Sequence, residues 1–82
     1  MVNVDYGNHF LKVFEKIKDA ALKSRVKKQI EKIVDNPEVG KPMMHSRKGT
    51  REVYVSPYRL SYSYLRDEDK VLFLDLYHKD VQ

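Results

Sequence analysis

Residues Lys48 to Tyr64 read KGTREVYVSPYRLSYSY, and this stretch decides the fold. Gly49 supplies a turn, an alternating run leads to Val55, Ser56-Pro57 makes a corner, and a second alternating run starts at Tyr58 with Arg59 near its beginning. The pattern predicts a strand, a tight turn and a second strand. Side chains two apart on a strand share a face, so Glu52 and Tyr54 point one way and Val53 and Val55 the other. On the second strand Arg59, Ser61 and Ser63 fall together, opposed by Leu60, Tyr62 and Tyr64. One face of the hairpin is apolar. The other carries a carboxylate, a phenol, a guanidinium and hydroxyls, which a buried sheet face does not need and a site for a charged ligand does.

The flanks complete an α+β pattern. Val2 to Tyr6 alternates and reads as a short N-terminal strand, broken by Gly7. Asn8 is the expected cap of a short helix in which Phe10, Leu11, Val13, Phe14 and Ile17 recur at three- and four-residue spacings. Asp19 is the expected cap of a second helix, with Leu22, Val26, Ile30 and Ile33 on one stripe and Lys23, Arg25, Lys27, Lys28, Glu31 and Lys32 elsewhere. That basic face suits solvent, or nucleic acid as a sharper alternative. Asn36-Pro37 ends the helix, because proline disfavours the helical conformation in the residue before it. Glu38 to Arg47 shows no clean period and reads as an irregular connection, with Met43 and Met44 plugging the edge of the core.

Beyond the hairpin, Arg66 to Lys70 is a polar turn. Val71 to Lys79 makes a last strand, where strict alternation sets Leu72, Leu74, Leu76 and His78 against Val71, Phe73, Asp75, Tyr77 and Lys79. The expected order is strand, two-helix hairpin and a three-stranded antiparallel meander, with the helices packed on one sheet face. At 82 residues a core divided in two would not survive, so residues 1–82 are read as a single domain.

Composition narrows the function. Sixteen Lys and Arg against twelve Asp and Glu give a formal charge of +4. The excess concentrates from Lys41 to Arg59, where Lys41, Arg47, Lys48, Arg51 and Arg59 face the lone acid Glu52. Such a patch draws polyanions inward. Without cysteine there is neither a disulfide framework nor a thiolate metal site. No run approaches the roughly 20 apolar residues that span a bilayer, and MVNVDYGNHF lacks a signal pattern, so the expected setting is soluble and cytoplasmic, away from the membrane.

Paired-histidine spacing, a glycine-rich phosphate loop and a nucleophile elbow are all missing, which argues against metal, nucleotide-dependent and acyl-transfer chemistry. Metal-free phosphodiester cleavage stays open. It needs a base for the ribose 2′-hydroxyl, a cation over the phosphate and an acid for the leaving oxygen. Glu52, Tyr54, Arg59, Asp75, Tyr77 and Lys79 are expected on the open face for that work. Arginine meets two phosphate oxygens at once, and Tyr54 and Tyr77 offer rings on which splayed bases stack. Plainer roles exist for each: Arg59 is equally placed to pair with Glu52 across the strands, and Asp75 to neutralise Lys79. His9 and His45 read as surface histidines.

The arrangement GKP…KG.RE.YV..YRLSY with the ending LDLYHKDVQ resembles the RelE/ParE toxin superfamily of toxin–antitoxin modules, and is most similar to its RelE branch. The resemblance runs over nearly the whole chain, YRLSY and HKDV being its more specific parts. It implies a small cytoplasmic type II toxin, monomeric alone or in a heterotetramer with a cognate antitoxin. Its implied activity is cofactor-free and metal-free cutting of mRNA in the ribosomal A site, by attack of the 2′-hydroxyl on the adjacent phosphate.

By position, the resemblance makes Arg59 the phosphate-binding arginine and places Tyr54 and Glu52 where basic residues often help activate the hydroxyl. It makes Lys79 the acid for the leaving group, with His78 as the other candidate, and likens Tyr77-His78 to the ending of YoeB toxins. Arg47, Lys48, Arg51 and Tyr77 are the expected RNA-binding residues. The chain departs from the pattern in having a phenol at the base position, a carboxylate beside it and Gln82 where many members end in tyrosine. Those departures favour an alternative: a ParE-like or catalytically degenerate member acting by binding protein, gyrase or an antitoxin that represses its own operon.

Overall fold

The structure, a computed structural model, describes residues 2–42 and 49–80. Its elements in chain order are β1 (Asn3–Tyr6), α1 (Asn8–Lys16), α2 (Ala20–Asp35), β2 (Lys41–Pro42), β3 (Thr50–Val55), β4 (Tyr58–Leu65), a 3-10 turn (Arg66–Glu68) and β5 (Lys70–His78). The five strands form one sheet in the order β1-β5-β4-β3-β2. β3, β4 and β5 are the antiparallel meander anticipated from the short turns, while β1 adds to β5 in parallel and β2 adds to β3. The expected α+β layout therefore holds, with a larger sheet than the meander alone. None of the described helices is long and apolar enough to cross a membrane.

The helices cover one face. Phe10 and Ile17 from α1 and its end, and Leu22, Val26 and Ile33 from α2, meet Val55, Leu60, Tyr62, Val71, Phe73 and Leu76 from the sheet. Each such apolar side chain taken from water contributes roughly 1.5–3 kcal/mol before the entropy of ordering the chain is charged against it. Asp19 caps α2 as expected, its Oδ1 accepting from the amides of Ala21 at 2.9 Å and Leu22 at 3.3 Å. Asn8 does not cap α1. The helix already includes Asn8, and extended Gly7 occupies the cap position with its amide donating to the Phe73 carbonyl at 2.8 Å.

Strict alternation fails in β5. Ser61 pairs with Asp75 but Tyr62 pairs with Phe73, so Leu74 is an extra residue that forms a bulge. A bulge moves every residue before it to the other face relative to those after it. Val71 and Phe73 thereby join Leu76 in the core, although the sequence pattern set them on opposite sides. Asp75 and Tyr77 keep the open face, across from Ser61 and Arg59.

The expected irregular connection after α2 is also partly a strand. Lys41 and Pro42 pair with Glu52 and Arg51, and Val39 and Gly40 lead into them. This wall is fastened from below. The buried Tyr62 hydroxyl accepts from the Gly40 amide at 2.9 Å and donates to the Pro37 carbonyl at 2.8 Å. Arg51 Nη1 donates to the carbonyls of Glu38 at 3.0 Å and Gly40 at 2.7 Å. A Cβ on Gly40 would stand 2.7 Å from the Tyr62 hydroxyl and 3.0 Å from the Glu52 carbonyl, so the contact needs glycine. Arg66 on the far side of the hairpin pairs with Glu38. Met43, Met44, His45, Arg47 and Lys48 lie outside the described residues.

Candidate functional site

Register brings the polar residues together. Tyr54 pairs with Arg59 and Arg59 with Tyr77, forming one row across β3, β4 and β5. Lys41, Glu52, Ser61 and Asp75 form the next row across β2 to β5. Residues directly opposite on neighbouring strands have Cβ atoms roughly 5 Å apart, close enough for their side chains to interact across rows.

Glu52 is the centre. Its Oε1 accepts from Arg59 Nη1 at 2.7 Å and its Oε2 accepts from the Tyr77 hydroxyl at 2.8 Å. The ion pair is partly sunk, the side chains being 36% exposed for Arg59 and 21% for Glu52. Arg59 Nε is buried and has no hydrogen-bond partner among the described residues. The guanidinium carbon lies 5.9 Å from the centre of the Tyr54 ring, which is half exposed. Around this group a cleft of about 520 Å³ is lined by Val39, Lys41, Glu52, Val53, Tyr54, Arg59 and Lys79. Three cations there against one carboxylate make it attractive to a phosphate diester.

The two phenols differ in character. Burial, then the hydrogen bond and charge of Glu52, push Tyr77 up to about 12. The Ser56 hydroxyl 3.4 Å away holds Tyr54 below its ordinary value, helped by the charges of Lys79 and Arg59 and opposed by desolvation. Absorbance titration should show Tyr54→Phe removing a phenol that ionises below the ordinary tyrosine value and Tyr77→Phe one that ionises at about 12. A raised pKa favours the protonated phenol in the folded state. The stabilisation tied to Tyr77 is thus complete below about pH 10, the unfolded value, and is lost as the pH climbs to about 12.

The structure sends two of the expected residues elsewhere. His78 faces the helix side, its ring edge-on to Tyr58 at 5.6 Å and its Nδ1 accepting the Asp80 amide at 3.2 Å, whereas Lys79 lines the cleft. Arg51 is also turned away, its Nη1 occupied by the two carbonyls of the β2 wall. Asp75 does not neutralise Lys79; His9 Nε2 lies 3.0 Å from its Oδ1, which also accepts the Leu76 amide. Val39 and Lys41 line the cleft without having been singled out as site residues, since a two-residue strand leaves no period to read. Arg47 and Lys48 are outside the described residues.

The model of the family described as ParE toxin of type II toxin–antitoxin system, parDE, matches residues 4–81. The chain belongs to the ParE toxin family. A comparison with curated protein sequences finds no match. Among solved structures, this ParE-family chain is similar to the toxin–antitoxin complex RelBE of E. coli, with a TM-score of 0.81 at 16% identity over 95% of this chain and 96% of the other. The toxin–antitoxin complex RelBE2 of Mycobacterium tuberculosis gives 0.78 at 23% identity over 95% and 98%. The YoeB/ParE toxin of Agrobacterium tumefaciens gives 0.80 at 12% over 93% and 96%. The chain is a type II toxin of the RelE/ParE superfamily, with the RelE-like fold anticipated from its sequence.

Proposed function

We propose that this ParE-family toxin is a ribosome-dependent, metal-free mRNA endonuclease of the cytoplasm, held inactive by a cognate antitoxin. The observation that carries the reading is the chain Arg59–Glu52–Tyr77 beside Tyr54 and Lys79 in one cationic cleft. The toxin–antitoxin complexes among its structural neighbours support the antitoxin as partner.

Arg59 binds a non-bridging phosphate oxygen, and the incoming diester replaces Glu52 at Nη1. Glu52 Oε1, freed from the guanidinium, takes the proton of the ribose 2′-hydroxyl while Tyr77 keeps hold of Oε2 and so fixes the carboxylate's orientation. The 2′-oxygen bonds to phosphorus, the bond from phosphorus to the 5′-oxygen breaks, and Lys79 protonates that oxygen. The products are a 2′,3′-cyclic phosphate and a 5′-hydroxyl, and the net proton transfer runs from the 2′-hydroxyl to the 5′-oxygen. Tyr77, with its pKa near 12, remains protonated throughout at neutral pH.

A second reading is favoured by the family whose model matches, and by the closed Glu52–Arg59 pair: a toxin that arrests growth by binding a protein such as gyrase. Inducing the chain without an antitoxin and mapping mRNA 5′ ends separates them. New ends within coding sequences are expected. Growth arrest with no new ends contradicts the nuclease reading and leaves the protein-binding one.

A further inference from the structure

Lys41 and Val39 sit on the wall beside β3, and the proposed reaction leaves both unused. Lys41 pairs with Glu52. Val39, two residues before Lys41, lines the same cleft as Tyr54. Both side chains are about half exposed and both line the cleft, Val39 at 47% and Tyr54 at 50%. An exposed aliphatic side chain lining the same cleft as an exposed aromatic ring, next to a cationic site, has the composition of a slot for a flat apolar face. A nucleobase adjoining the phosphate on Arg59 has that face.

We propose that Val39 and Tyr54 flank the nucleobase next to the scissile phosphate, with Lys41 on the neighbouring phosphate, so that the β2 wall determines which base is accepted; this rests on the nuclease reading. The wall is built to hold its position. Tyr62 and Arg51 together fix three carbonyls, those of Pro37, Glu38 and Gly40, and the Gly40 amide, and Gly40 allows the backbone to reach the Tyr62 hydroxyl. Tyr62 and Arg51 are therefore positioning residues, whereas Val39 and Lys41 touch the substrate. The larger purine face makes more contact in such a slot than a pyrimidine does, giving a preference for purine beside the cut.

A translation extract programmed with an mRNA of randomised codons tests this, using the whole toxin and reading the bases that flank each cut. Wild type should favour purine at one flanking position. Val39→Ser should reduce that preference by about fivefold, the scale of a lost stacking contact, and Val39→Leu should preserve it. Lys41→Gln should slow cutting at all sites alike without changing the preference. A wild-type toxin indifferent to the flanking base, or a Val39→Ser protein with the wild-type preference, overturns the inference while leaving the nuclease reading intact. A wild-type toxin that makes no cuts removes the nuclease reading and the inference with it.

Discussion

Replacing Arg59 by alanine should lower the rate of mRNA cleavage by about two to three orders of magnitude, the loss that follows removal of a single preorganised donor at a developing negative charge. Arg59 is the cation in the middle of its row, with Tyr54 on one side and Tyr77 on the other. Its Nη1 is already aimed at an acidic oxygen 2.7 Å away, so a phosphate oxygen arriving there meets a donor in place. The fold should survive the substitution, because the pair is about a third exposed on the arginine side and such pairs contribute about 1 kcal/mol or less. Arg59→Lys should recover only part of the rate, since an ammonium cannot present the planar fork. Cleavage rates in an extract, alongside thermal melting of each variant, measure this. An Arg59→Ala toxin as active as wild type would remove Arg59 from the reaction.

Glu52→Gln should lower the rate by about a hundredfold, in the range that general-base catalysis contributes. The amide keeps the size of the carboxylate; its oxygen can accept from Arg59 while its NH2 donates to the Tyr77 oxygen, so packing is preserved while the proton acceptor is lost. Glu52→Asp, which keeps an acceptor but shortens its reach, should recover part of the lost rate. A toxin working only through protein contact would show neither effect, and growth arrest would persist with Glu52→Gln. The opposite result, faster cutting because Arg59 is released, would mean that Glu52 restrains the arginine and that another group accepts the proton.

Much of this site was legible in the chain because antiparallel strands joined by short turns leave little freedom. Once Ser56-Pro57 is read as a corner, Tyr54 and Arg59 must lie near one another, and alternation puts Glu52 on their face. The Glu52–Arg59 pair was named from the sequence as one outcome of that geometry and is what forms. The bulge at Leu74 was not legible, since Val71, Phe73, Leu74 and Leu76 are apolar on either side of it and period carries no sign of an added residue. The β2 wall was hidden for a different reason. Its position depends on Tyr62 and Arg51 reaching from the middle of the sheet, contacts about twenty-five and eleven residues away that no local pattern records. Periodicity and turns supplied the α+β order and the family resemblance the toxin class; the solved structures agree with the first and the matched family model with the second.

The central claim is that one open sheet face, built around Arg59 and Glu52, breaks a phosphodiester by 2′-oxygen attack. The measurement that meets it most directly is the chemistry of the fragment ends made by purified toxin acting on ribosome-bound mRNA in the presence of a metal chelator. Fragments carrying 2′,3′-cyclic phosphate and 5′-hydroxyl ends, absent with Arg59→Ala, are the predicted result. Fragments with 5′-phosphate ends, or intact mRNA from a toxin that still arrests growth, would contradict it.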